Sequence, residues 1–174
     1  HWFGTDSGGR DLYVRTMRGT SVSLMVALLS TMISLAIGVL WGTLSGYLGG
    51  RVDDVMMRVV DILYSLPFIL VVVLLTVVFG PNLYLLFAAL GAIYWLDMAR
   101  IVRGQTLRLK AAPFISAAKI QGATTLNIIA VHILPNIRSP IIIYGTITIP
   151  AIILAESFIS FIGLGVQEPQ TSLG

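Results

Sequence analysis

The sequence predicts an all-α membrane protein with several spans, and three observations carry that prediction. Hydrophobic residues fill 56% of the 174 positions and charged residues 11%, against about 25% charged in a soluble domain. Mean hydropathy is +0.91. The charge is also clumped: none falls between Arg18 and Arg51, between Asp61 and Asp97, or between Arg138 and Glu156. Apolar stretches of that length and purity read as membrane-crossing helices.

In order along the chain, 1–19 is a polar, turn-rich external segment. The first span covers 20–47, long enough at about 1.5 Å per residue to cross a bilayer with tilt. Residues 48–61 are polar and hold Arg51, Asp53, Asp54 and Arg58. The second span covers 62–79, with Pro67 expected to bend it. Gly80-Pro81-Asn82 is a turn, and the third span covers 83–99. A basic segment runs over 100–138, and the fourth span covers 139–158, with Pro150 as a second expected bend. The chain opens at His1 and closes at Gly174, and further sequence is expected at both ends.

Two spans separate 48–61 from 100–138, so these segments share a side. Together they hold Arg51, Arg58, Arg100, Arg103, Arg108, Lys110, Lys119 and Arg138, whereas the other side holds Arg10, Arg15 and Arg18. The excess places 100–138 in the cytoplasm. The formal charge of +3 is thereby assigned to topology and anionic membrane lipids, with no nucleic-acid partner expected. The absence of cysteine and the presence of two histidines leave no material for thiol catalysis or a His-rich metal site. No nucleophile–base set and no G-x-x-x-x-G-K-[ST] loop occurs, so no enzyme activity, ATP site, cofactor or metal is expected in this chain.

Ser30, Ser34, Gly38, Gly42, Gly46 and Gly50 form a stripe of small residues at a four-residue period. Such a stripe lets two helices approach closely, whether within this chain or against a second subunit. The richest segment is 111–136. Pro113 suits the first turn of a helix, and Phe114, Ala117, Ala118 and Gln121 follow at helical spacing. Gly122 can end that helix in a left-handed cap, and Thr124 or Thr125 can start another. Ile128, Ile129 and Ile133 give the second helix an apolar side. Pro135 is expected to mark the turn into the next span. Ser116, Ala117 and Ala118 are expected to face the cytoplasm.

This segment resembles the "EAA" loop of ABC importer permeases, which reads Glu-Ala-Ala, three residues, Gly, then about ten residues to Leu-Pro. Ser116, Ala117, Ala118 and Gly122 fill the pattern with Leu134-Pro135 at the matching distance, and Ser116 stands where the family usually has Glu. Gly4-Thr5-Asp6-Ser7-Gly8-Gly9-Arg10-Asp11 resembles the "GTDxxGRD" segment of the second, C-type permease of the dipeptide/oligopeptide/nickel group. Arg51-Val52-Asp53, Leu66-Pro67, His132 to Asn136 and Ser160 to Val166 fit the same group. The resemblance covers essentially the whole chain.

The resemblance implies the helix bundle of a type I ABC importer permease, with four spans here of six in the subunit. It implies a second permease subunit, two cytoplasmic ATPase subunits that hold ATP and Mg and receive the loop around Pro113, Ser116, Ala117, Ala118, Gly122, Leu134 and Pro135, and an external substrate-binding protein. The implied cargo is di- or oligopeptides crossing a bacterial inner membrane, with nickel or another small solute as the alternative. An ion-gradient-driven secondary transporter is the competing class, disfavoured by scarce intramembrane charge. Glu156, in the fourth span, is a candidate for the substrate path or for a structural role. Asp6, Arg10 and Asp11 are candidates for binding-protein contact or for a self-capping turn. Asp97 lies one turn before Arg100, a spacing that permits a local ion pair.

Overall fold

The protein is all-α. Its structure is a computed structural model that describes residues 3–5, 9–80 and 82–163, with side chains at all of these except 68, 69, 83 and 84. Asp6, Trp2, Pro81 and the stretch 164–174 lie outside the described residues.

Helix α1 spans Leu12–Leu48. Asp11 caps it, its carboxylate accepting from the Tyr13 N–H at 2.9 Å, which satisfies a donor that has no intrahelical partner. Gly49 and Gly50 end α1 with φ of +69° and +55°, a pair of left-handed residues that glycine alone adopts cheaply. Helix α2, Gly50–Tyr64, turns back from there. Helix α3 is Phe68–Phe79. The expected continuous span over 62–79 is therefore divided: α2 stops at Tyr64 and Pro67 starts α3. Pro67 has no N–H to give, and it also disfavours helical geometry at Leu66 before it. At 12 residues, α3 is about 18 Å long, short of the ~30 Å bilayer core.

Helix α4 runs Leu83–Lys110. It carries the expected third span and eleven residues of what the sequence suggested was loop. Arg108 and Lys110 sit in its last turn, where cations complement the negative end of the helix dipole. Helix α5 is Pro113–Ile120, and α6 is the single turn Thr125–Asn127. A π segment, Ile128–Ile133, leads without a break into α7, Leu134–Phe161. Pro135 thus marks no turn. It sits in the second position of α7, and the wider π winding just before it accommodates a ring that would clash with the preceding turn of a regular helix. Among the described residues, three stretches are long and apolar enough to cross a membrane: Leu12–Leu48, Leu85–Lys110 and Thr125–Phe161.

Helices α1 and α4 run parallel and touch along their length. Ser30 Oγ donates to Phe87 O at 3.2 Å, and a side chain on Gly91 would overlap Ile33. Farther along, Cβ atoms at Gly38, Gly42 and Gly46 would come within 2.9 Å of Trp95 O, Arg103 N and Arg103 O. The small stripe of α1 is thus consumed inside this chain, as the seat of α4. Gly50 departs from it as the first residue of α2. Helix α7 runs antiparallel to α1, with Gly145 beside Leu35 and Glu156 beside Ser23.

The bundle has two main cores. Val26, Ala27, Phe87, Leu90, Ile152 and Ile159 fill the end near the start of α1. Met98, Val102, Ile115, Ile128, Ile133 and Ile137 fill the other. Trp41 and Trp95 meet edge to face at 5.4 Å, and Trp41 donates to Met56 O at 3.2 Å. These two tryptophans pack α1 against α4 and tie α1 to α2.

Candidate functional site

The loop helix α5 is a closed local unit. Ala112 is extended ahead of Pro113, which occupies the first turn. At the other end Gly122 adopts φ +82°. Its N–H donates to Lys119 O at 3.0 Å, and the Ala123 N–H reaches back to Ala118 O at 3.0 Å. That pair of bonds is a Schellman closure. Thr124 then caps the next turn, accepting from the Asn127 N–H at 3.3 Å.

The inward face of α5 is Ile115, fully buried, and Ala118. Phe114, Ser116, Ala117, Lys119, Ile120 and Gln121 are exposed. Ala118 therefore packs inward, unlike the expected outward trio of Ser116, Ala117 and Ala118. Ile115 and Ala118 share a core with Tyr47 of α1, Met98 and Val102 of α4, and Ile137 of α7. Lys119 also lies over the Tyr47 ring at 5.7 Å. Two buried side chains thus join α5 to the core it shares with the π segment and the long helices, and Lys119 ties it to α1. Outward it offers an apolar face on which Ile120 is 87% exposed. Leu134 is half-buried at the edge of the same core and Pro135 is exposed. Ile115 was missed in the sequence because the periodicity around Phe114 and Ala117 selects the opposite face.

A second cluster braces the turn between α1 and α2. Arg103 grips Asp53 with two hydrogen bonds, Nε to Oδ1 at 2.5 Å and Nη2 to Oδ2 at 2.6 Å. The Ser45 hydroxyl donates to the same carboxylate. The Arg103 hydrogen bond holds the Asp53 carboxyl below the ordinary carboxylate range, against the upward push of burial; Ser45 adds to the lowering. Lys110 Nζ donates to Leu48 O at 3.4 Å, capping the end of α1. Nothing local links positions 53 and 103, so this brace is invisible before folding.

Arg100 does not pair with Asp97. It reaches Asp61 at 2.8 Å and stacks over the Tyr64 ring at 4.4 Å, because α2 rather than the preceding turn of α4 supplies the nearer carboxylate. Asp97 instead lines a cavity between α4 and the α2–α3 break.

Glu156 is fully buried. It accepts hydrogen bonds from Ser23 at 2.9 Å and Ser160 at 2.8 Å, tying α7 to α1. Its side chain has no exposure in this chain. Asp11 is the cap of α1, with Leu12 N–H donating to Gly4 O at 3.2 Å, so it forms a self-capping turn. Arg10 is exposed beside it, and Asp6 falls outside the described residues.

Comparison with known proteins agrees with this geometry. The family described as binding-protein-dependent transport system inner membrane component matches residues 38–174. The oligopeptide transport system permease protein OppC of Escherichia coli K12 is 56% identical over 174 residues, all of this chain and 58% of that protein. The dipeptide transport system permease protein DppC of Bacillus subtilis 168 is 49% identical over 174 residues, again all of this chain and 54% of that protein. The chain therefore spans somewhat more than half the length of these relatives. Among solved structures, a chain of the MetNI methionine ABC transporter in inward-facing conformations superposes with TM-score 0.74 at 23% identity, covering 88% of this chain and 77% of that one, a likeness of fold. With three membrane-length helices, the buried seat of α5 and a match across 38–174, this chain belongs to the inner membrane components of binding-protein-dependent transport systems.

Proposed function

We propose that the chain is most of a pore-forming permease subunit of an ATP-driven peptide importer, working by alternating access. The observation that carries this reading is α5: a short helix that starts at Pro113, is closed at Gly122, buries Ile115 and Ala118 in the core and leaves Phe114, Ala117 and Ile120 exposed. In this reading the outer face of α5, with Ser116, Ala117 and Ile120, docks into a groove of a cytoplasmic ATPase subunit. Gly122 fixes where the helix ends, and the continuous helix through Leu134 and Pro135 carries motion into α7. ATP and Mg2+ belong to two such ATPase partners. A second permease subunit completes the pore, and an external binding protein delivers the cargo.

The cytoplasmic placement of α5 is supported by charge. Arg51 and Arg58 of α2, Arg100, Arg103, Arg108 and Lys110 of α4, Lys119 of α5 and Arg138 of α7 form the basic set that the positive-inside rule assigns to the cytoplasm. The peptide cargo is supported by the names of the relatives. The test is uptake of labelled di- and oligopeptides, with nickel alongside, into proteoliposomes holding the full-length subunit, its partner permease, the ATPases and the binding protein. ATP-dependent peptide uptake is expected. Uptake of nickel alone corrects the cargo, and uptake driven by an ion gradient with no ATPase overturns the reading.

A further inference from the structure

Asp97 lies in α4 near the cytoplasmic end of the 83–99 span, one turn before Arg100. A half-buried carboxylate is costly unless it meets a partner or water. Among the described residues no side chain pairs with it. Arg100, one turn on, is committed to Asp61 and the Tyr64 ring. Asp97 is half-buried and opens into a cavity of about 310 Å³ lined also by Leu63, Tyr64, Leu66, Ile93 and Tyr94.

The cavity exists because the chain is broken there. Helix α2 ends at Tyr64 and α3 starts at Phe68. Non-helical backbone at membrane depth is stable only where protein covers it or water reaches it. The C-terminal end of α2 contributes its negative dipole end to the same space. A carboxylate, a helix C-terminus and the Tyr94 ring favour a cation over a neutral or anionic guest.

We propose that the cavity at the α2–α3 break is a cation-binding subsite in which Asp97 receives a protonated primary amine of the cargo. As a statement about cargo this rests on the peptide-importer reading. Its chemistry, an amine on a carboxylate beside a helix break, does not.

The chain has no cysteine, so Leu66→Cys places one thiol of this chain at the cavity wall, read by mass on its own peptide in the assembled full-length transporter. The probes are methanethiosulfonate reagents of similar size bearing either an ethyltrimethylammonium or an ethylsulfonate group. The cationic reagent is expected to react at least about tenfold faster, and Asp97→Asn to bring the two rates together. A ratio unmoved by Asp97→Asn, or a thiol that neither reagent reaches, overturns the subsite.

In the uptake assay, Asp97→Asn is expected to reduce tri-lysine transport at least about fivefold more than transport of N-acetylated tri-alanine, with Asp97→Glu restoring the difference. Equal losses for both peptides mean a structural role and overturn the proposal. Reagent selectivity with no peptide uptake by the unaltered protein leaves the cation site standing and refutes the cargo assignment.

Discussion

Substitution of Gly122 isolates the contribution of a single dihedral angle. A Cβ built at Gly122 meets nothing within 4 Å, and φ there is +82°. Side-chain size therefore costs nothing by contact, and the whole penalty is backbone strain, about 1–2 kcal/mol for a residue with a Cβ in the left-handed region. At RT of about 0.59 kcal/mol, that is a shift of about 5- to 30-fold in the equilibrium between closed and frayed ends of α5. The amide that reports it is Ala123, whose N–H bonds Ala118 O across the closure. Hydrogen exchange at Ala123 should accelerate by that factor in Gly122→Ala, less in Gly122→Asp and Gly122→Asn, because both tolerate this region, and most in Gly122→Val. Peptide uptake per ATP hydrolysed should fall in the same order, at unchanged membrane abundance. If Gly122→Asp alone lost transport while Ala and Val behaved as wild type, charge rather than the cap would be responsible, and the reasoning would fail.

Other substitutions test the packing and the two carboxylates. Gly42→Leu should destabilise the bundle by about 3 kcal/mol, seen as a lower thermal midpoint in detergent, because its Cβ would lie 2.9 Å from Arg103 N; Gly145→Ala, whose nearest neighbour is a Leu35 methyl at 3.3 Å, should be tolerated. Arg103→Ala leaves the Asp53 carboxylate buried without its cation and, discounted for the 34% exposure of the Arg103 side chain, should cost about 2 kcal/mol. Since the Asp53 carboxyl is held below its ordinary value, the stability it contributes is complete above about pH 4 and is lost as pH falls through the lowered value; a thermal-midpoint series from pH 7 to pH 3 should show this drop in wild type and not in Asp53→Asn. Glu156→Gln keeps acceptor and size and should leave peptide preference unchanged in a competition panel, the expected cost being about 1 kcal/mol in stability; a changed preference would return Glu156 to the substrate path.

Hydropathy locates apolar residues, and it served where burial in lipid and helix coincide: 20–47 lies within α1 and 83–99 within α4. It is silent where a helix leaves the apolar zone and continues, as α4 does through Arg100, Arg103 and Arg108. Proline is ambiguous in the same way. Pro67 ends a helix because two helices can part there, while Pro135 is absorbed by a π turn. Neither outcome is written in the local residues. The loop helix was legible in Pro113, Gly122 and Thr124, since caps are local chemistry. Its buried face was not, because which side of an eight-residue helix turns inward depends on α1, α4 and α7. The grip of Arg103 on Asp53, across 50 positions, is a product of the tertiary fold alone.

The glycine seat between α1 and α4 has a mechanical consequence. Helices whose backbones meet without intervening side chains cannot slide or roll past one another without steric overlap, so α1 and α4 behave as one double-thickness strut. Helix α5 meets the end of that strut through Lys119 over the Tyr47 ring and through the core it shares with the π segment leading into α7. A push on α5 therefore displaces the strut as a rigid beam, and bending must concentrate at its unreinforced joints, Gly49–Gly50 and the stretch from Ser65 to Pro67. The second of these joints forms a wall of the Asp97 cavity, so flexing it changes the shape of that chamber directly.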